Sequence, residues 1–166
     1  MLLRGKAHKF GNDVNTDYII AGKYKSKYAT EKEQARHVLE DLDPHFYEKI
    51  APGDFVVAGN NFGCGSSRET APLVIRYANL SAVLAKSFAR IFFRNAINTG
   101  LPVIRCGTDL IEPGDALEVD LAAGKVKNLT RGVEITGAPL PQVMITILND
   151  GGLVDHYKKH GGFRLE

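Results

Sequence analysis

Between Asp54 and Cys106, three short apolar runs, DFVVAGN, AVLAKSF and LPVIRC, alternate with two segments of helical character at 70–80 and 88–98. Strand, helix, strand, helix, strand at this spacing implies parallel pairing joined by right-handed crossovers. The loop between the first run and the first helix then lies at the carboxyl end of a parallel strand. That is where α/β folds bind their ligands.

The flanking segments add to this unit. Residues 1–9 read as a first strand, and GNDVNTDYII (11–20) as a turn followed by a short apolar piece. GKYKSKYA (22–29) carries three lysines in five positions and reads as a mobile surface loop over about 22–30. Thr30 and Glu33 form a capping box ahead of EKEQARHVLEDL, an amphipathic helix at 31–42. Pro52-Gly53 marks a turn, and Ser87 caps the 88–98 helix, which Gly100 ends. ALEVDLAAGKVKNL predicts a hairpin turning near Gly124. Pro141 opens a helix at 141–149 that Gly151-Gly152 ends, and LVDHYKKHGG is a basic helical tail. The whole reads as one compact α/β domain over 1–166, with extra antiparallel strands.

Composition narrows the function classes. At 44% hydrophobic and 24% charged residues, the chain can build a core, and a net charge of +2 gives no strong pull toward nucleic acid or membrane. MLLRGKAHKFG is too short in apolar residues for a signal segment, and no stretch approaches a membrane span. Two cysteines, Cys64 and Cys106, make no disulfide framework. A cytoplasmic protein with reduced thiols is expected.

The candidate site is GNNFGCGSSRETAP, residues 59–72. The phosphate-loop template fails because Ser66 stands where a lysine is required, and the dinucleotide template fails at Arg68. The nucleophile elbow fails at both Ser66 and Ser67. What remains is an anion site: glycines that admit a ligand, helix-start N–H groups, and the planar fork of Arg68. A serine in that positive field forms an alkoxide at lower cost. The plainer reading makes Ser66 and Glu69 a capping box. Pro72 then becomes the sixth helical residue, at a cost of roughly 3 kcal/mol. With Thr70 as the cap, Pro72 falls in the first turn and 63–69 are free to line a site.

NNFGCGSSRETAP and AKSFARIFFRNAINTGLPVI resemble the small subunits of the aconitase superfamily, most of all those of 3-isopropylmalate dehydratase. HKFGNDVNTDYIIAGKY, EPGDALEVDL and DGGLV fit the same pattern in the same order. The resemblance implies a swivelling β/β/α domain that packs on a separate large subunit. It implies a hydro-lyase that dehydrates and rehydrates a malate-like acid, in leucine biosynthesis if the acid is isopropylmalate. It also implies that Ser66 is the base, that Ser67 and Arg68 bind substrate carboxylate, and that Asp17 belongs to the active site. A doubly charged intermediate would need positive groups placed in advance.

Family members use a [4Fe-4S] cluster as Lewis acid. Cys64 and Cys106 have no iron–sulfur spacing, and histidines 8, 37, 45, 156 and 160 form no metal motif. No metal is expected in this chain, so the cluster must come from the partner large subunit. The isolated chain, possibly a homo-oligomer, should be inactive. Packing is the reading for Cys64 and a structural role for His8. Positions 88, 91, 92 and 96 make the buried stripe of the 88–98 helix. Arg90 and Arg94 face either solvent or the large subunit.

The loop at 22–30 would read the substrate's side group. Homoaconitase-like members carry an arginine where Ser26 stands, which speaks against homoaconitate. Lys25 and Lys27 either bind a carboxylate from another angle or face water. AGKY replaces the usual PG before the tyrosine, and Thr70 replaces a common histidine, so the choice of acid stays open. Isopropylmalate is the first expectation, with homoaconitate, dimethylmalate and related 2-hydroxy acids as alternatives. A non-catalytic anion-binding scaffold is the reading from another class, and the joint presence of Asp17, Ser66 and Arg68 speaks against it.

Overall fold

The computed structural model describes residues 1–163. Its centre is a seven-stranded mixed sheet of order β4-β3-β2-β1-β5-β6-β7. The strands are β1 (Leu2–Lys9), β2 (Phe55–Ala58), β3 (Ala82–Ala85), β4 (Val103–Arg105), β5 (Ala116–Asp120), β6 (Lys125–Asn128) and β7 (Val133–Thr136). β1 is the pivot. It runs parallel to β2 on one side and antiparallel to β5 on the other. Every residue of β2 and β3 is buried, as in a parallel sheet covered on both faces. β5 and β6 alternate buried and more exposed positions, as half-covered antiparallel strands do. The expected parallel β2–β3–β4 unit and the hairpin turning at Gly124 are both present. β7 was not anticipated from the sequence; it closes the antiparallel half.

The helices are α1 (Thr16–Ile19), α2 (Lys23–Lys27), α3 (Glu31–Gln34), α4 (Phe46–Lys49), α5 (Thr70–Tyr77), α6 (Arg90–Asn98), α7 (Gln142–Asn149) and α8 (Leu153–His160). The capping box forms as expected: Thr30 Oγ1 accepts from the Glu33 N–H, and the Glu33 carboxylate accepts from the Thr30 N–H. The helix expected over 31–42 does not continue. It tightens into a 3₁₀ turn at Ala35–His37 and breaks at Val38. Leu39 takes φ 55°, which turns Val38 and Leu39 into the core, and its N–H donates to the Ile19 carbonyl. Burial of two large apolar side chains outweighs helix propensity there. The 22–29 segment is also more regular than a loop, because α2 buries Tyr24.

Two helix starts differ in detail from expectation. α5 begins at Thr70 with Glu69 as its cap, so Pro72 is the third helical residue. The missing N–H is one that a first turn leaves unpaired in any case. α6 begins at Arg90, and Ser87 does not cap it; the Ser87 hydroxyl accepts from the Asn61 N–H and ties down the glycine loop. The buried stripe of α6 is Phe92, Ala96 and Ile97. Phe88 is half-buried and Ile91 is 49% exposed.

β1 is locked to the turn before β2 by Asp54, which is buried. Its carboxylate accepts from the N–H groups of Lys6 (2.9 Å) and Ala51 (3.0 Å) and from His8 Nε2 (2.7 Å). His8 also meets the Phe46 ring edge-on at 5.4 Å, which bears out its structural role. Burial alone would raise the Asp54 pKa, but the bonds from Ala51, His8 and Lys6 outweigh it and hold the carboxyl below its usual range. A depressed folded-state pKa gives stability that is present above the unfolded value and lost as pH falls through the folded one. Asp54→Ala should therefore cost about 2–3 kcal/mol at neutral pH, measured by urea unfolding. The difference from wild type should shrink as the pH drops below about 4. An unchanged urea midpoint at pH 7 would show that this lock contributes nothing.

Candidate active site

The glycine loop after β2 is held by a second strand of irregular chain, residues 12–17. Asn12 Oδ1 accepts from the Asn60 N–H (2.7 Å), and the Gly63 N–H donates to the Val14 carbonyl (2.7 Å). The Thr16 N–H donates to the Cys64 carbonyl (2.9 Å), and Thr16 Oγ1 donates to the Ser66 carbonyl (2.9 Å). Gly63 has φ 78°, and a Cβ on it would lie 2.1 Å from the Phe92 ring. Only glycine lets the loop lie this low over α6. Gly65, at φ 91°, then turns the chain so that Ser66 and Ser67 are exposed.

This pairing brings Asp17, at the start of α1, against Arg68. The Arg68 Nη1 lies 2.6 Å from Asp17 Oδ1 and also donates to the Ile20 carbonyl at 3.4 Å. The contact leaves other guanidinium N–H groups for a ligand. Arg68 stands between two cavities. One, of about 280 Å³, is lined by Ser66, Thr16, Arg90, Asn95 and the apolar Ile91 and Phe92. The other, of about 510 Å³, is lined by Ser67, Lys25, Gln34, Glu31 and Glu69.

Of the residues singled out in the sequence, Asp17, Ser66, Ser67, Arg68 and Lys25 come together. Ser26 and Lys27 line neither cavity. The Ser26 hydroxyl donates to the Lys23 carbonyl, and Lys27 Nζ lies over the Tyr28 ring at 5.5 Å. Arg90 and Arg94 separate: both line a groove of about 660 Å³ between α6 and α7, but only Arg90 also reaches the Ser66 cavity. Thr16, Gln34, Ile91 and Asn95 were not singled out. Thr16 sits inside the same NTD motif as Asp17, and that adjacency was the available signal.

The chain's own thiols do not suit an iron–sulfur cluster, which needs several thiolates at one place. Burial, helped by the Asp13 carboxylate, raises the Cys64 thiol, and burial pushes Cys106 up to about 12. Both are held protonated. Among the described residues one further group of ligand-type atoms comes together, Asp150 with His156 and His160. Lys159 already pairs with that carboxylate. Metal ligation through His156 Nδ1 would leave an N–H at Nε2, which is buried without a partner. The cluster is a staple of α8 to the end of α7. No helix among the described residues is long and apolar enough to cross a membrane.

Comparison with known proteins gives one answer. The model of the aconitase C-terminal domain matches residues 6–107. The 3-isopropylmalate dehydratase small subunit 2 of Archaeoglobus fulgidus is 56% identical over 99% of this chain and 100% of its own length. The small subunit 1 of the same enzyme in Thermotoga maritima is 49% identical, covering 98% of each chain. A methanogen homoaconitase small subunit from Methanothermobacter thermautotrophicus is 48% identical over 95% of this chain and 92% of its own. The crystal structure of 3-isopropylmalate dehydratase from Methanocaldococcus jannaschii superposes with a TM-score of 0.92 at 45% identity, covering 97% of this chain and 96% of that one. With the mixed sheet, the loop at the end of β2 and these matches in hand, the chain belongs to the aconitase C-terminal domain family, among the small subunits of 3-isopropylmalate dehydratase and their relatives.

Proposed function

We propose that this chain is the small subunit of a hydro-lyase that isomerises 2-isopropylmalate to 3-isopropylmalate, a cytoplasmic step of leucine biosynthesis, with Ser66 as its base. The observation that carries the reading is the convergence of Ser66, Ser67 and the Arg68–Asp17 pair on one loop at the carboxyl end of β2.

The roles follow from the geometry. Asp17 holds one nitrogen of Arg68, which fixes the plane of the guanidinium. The remaining donors of that fork, with the Ser67 hydroxyl, take a substrate carboxylate. Ser66 then removes the proton from the carbon beside that carboxylate, and the charge spreads onto the carboxylate as the intermediate forms. Arg68 and Arg90 both line the Ser66 cavity. Their field stabilises the serine alkoxide and the intermediate together, without reorganisation at the moment of transfer. Ile91 and Phe92 give that cavity an apolar wall, which strengthens the field at the proton transfer. The hydroxyl then returns to the carbon that lost the proton, and a proton to the carbon that lost the hydroxyl, which completes the isomerisation.

Departure of the hydroxyl needs a Lewis acid, and the [4Fe-4S] cluster of a partner large subunit would supply it. Purified alone, the chain should show no cluster absorption in the visible and no turnover. Co-expressed anaerobically with the large subunit, it should be active on isopropylmalate. In that complex Ser66→Ala should lower kcat by about a thousandfold with the complex intact by gel filtration. A full rate in Ser66→Ala would dismiss the base assignment. An intact cluster in the lone chain would end the two-subunit reading.

A second acid is favoured by one contact. Lys25 lines the larger cavity beside Ser67 and Arg68, where it can meet a further carboxylate such as that of homoaconitate. If so, Lys25→Met should lower kcat/KM for homoaconitate relative to isopropylmalate by about tenfold or more. An unaltered ratio would leave isopropylmalate as the sole reading.

A further inference from the structure

α2 is an unlikely structure on its own terms. It has five residues, Lys23–Lys27, of which four are exposed and three are lysines. A helix this short does not persist in water, and like charges along it repel. Its position therefore depends on side chains that reach away from it.

Those side chains form one closed network. The Tyr24 ring stacks on His37 with centroids 3.9 Å apart and planes 11° from parallel, and its hydroxyl donates to Glu40 Oε1. The Tyr28 hydroxyl meets His37 Nε2 at 2.9 Å, and His37 Nδ1 lies 2.6 Å from Glu40 Oε2. An ionised carboxylate can only accept, so His37 donates from Nδ1 to Glu40; in the tautomer whose Nε2 carries no proton, that nitrogen accepts from Tyr28. One neutral tautomer satisfies all three bonds. Burial opposes ionisation of Glu40, yet the bonds from Tyr24 and His37 outweigh it and keep the carboxyl low, while the bond to Glu40 and burial push Tyr24 up to about 12. Lys23 and Lys27 fold back over the tyrosine rings, with Nζ 4.9 Å from the Tyr24 centroid and 5.5 Å from that of Tyr28. Lys25 is the lysine left to line the cavity beside Ser67 and Arg68.

We propose that His37 and Glu40 are positioning residues which, through Tyr24 and Tyr28, fix α2 against the active-site cavity and so set the enzyme's choice among hydroxy acids. Neither touches substrate. His37 sits in the 3₁₀ turn that follows α3, and α3 supplies Glu31 and Gln34 to the same cavity. The network thus ties two walls of one pocket together at their rear. It acts on the substrate's side group and leaves the proton transfer at Ser66 alone, because Ser66 and Arg68 are held by residues 14–20 instead. The specificity role rests on the hydro-lyase reading above, whereas the bracing of α2 does not.

Two measurements separate these. On the isolated chain, hydrogen exchange should rise by at least about tenfold at amides 23–28 in Glu40→Ala, less in Tyr28→Phe, and stay at wild-type values in β2 and β3. In the active complex with the large subunit, Glu40→Ala and His37→Ala should raise KM for the preferred acid about tenfold or more, with kcat changed far less. They should also alter its kcat/KM relative to malates bearing smaller side groups. Glu40→Gln, which keeps an acceptor for Tyr24, should recover part of the preference. Unchanged exchange at 23–28 would overturn the brace. Equal losses for every acid, or a fall in kcat alone, would reduce the network to a structural role. A wild-type complex without activity on any 2-hydroxy acid would overturn the hydro-lyase reading and the specificity role with it, leaving the exchange result to judge the brace.

Discussion

The site depends on a backbone contact between two segments that are remote in sequence. Residues 12–17 lie alongside the glycine loop, and their bonds to Asn60, Gly63, Cys64 and Ser66 carry no side-chain specificity beyond Asn12 and Thr16. Without this contact the loop would be held only at its start, where Gly59, Asn61 and Phe62 bond to residues 86–89. With it, the serines are fixed in height by Gly63 over Phe92 and in direction by the Thr16 bond to the Ser66 carbonyl. The Asp17–Arg68 pair is a consequence of that alignment. The pair is half-exposed, so its Coulombic contribution to folding is small. Its value lies in geometry: a guanidinium held at one edge presents its other edge in a fixed plane.

The same constraint explains the serines' freedom. A serine that caps a helix spends its oxygen on a backbone N–H. Here α5 starts at Thr70, and the Gly63 amide and the Cys64 and Ser66 carbonyls are satisfied by Val14 and Thr16. Ser66 and Ser67 are exposed to two different cavities on either side of Arg68. Arg68 lines both cavities, so in the proposed mechanism one arginine would serve a carboxylate shared by both while Ser66 works on one side only. Burial raises the Cys64 thiol in the same loop, which lowers its thiolate population.

Much of this was legible in the sequence, and the rest was not for definable reasons. The parallel unit announced itself because fully buried strands are continuous apolar runs. The position of Pro72 argued against a helix starting at Ser66 on local sterics, and α5 does start at Thr70. The Thr30–Glu33 box fixed the start of α3, but its end was set by Val38 and Leu39 entering the core, which no local pattern reports. The lysines at 23, 25 and 27 read as a loop because the residue that orders them, His37, lies a further ten positions along and acts through ring stacking. Ile91 was misplaced in the core because the apolar pattern of α6 admits more than one face, and the buried one runs through Phe92, Ala96 and Ile97. Asp17 and Arg68 could be matched to a family motif, but their contact could not be derived, since it follows from the chain pairing and from nothing nearby in sequence.

Two kinds of support meet at this pocket. The proton-transfer side is held by main-chain hydrogen bonds, glycines and a strand end, all of which tolerate little change. The side-group side is held by Tyr24, Tyr28, His37 and Glu40, a set of side chains behind a single short helix. Substitutions on the exposed face of α2 leave the rear contacts and the serine loop untouched. A scaffold divided in this way can keep one chemistry and change the acid it acts on. Under the proposed roles, such a division is compatible with small subunits of 3-isopropylmalate dehydratase and of a homoaconitase both matching this chain along nearly its full length.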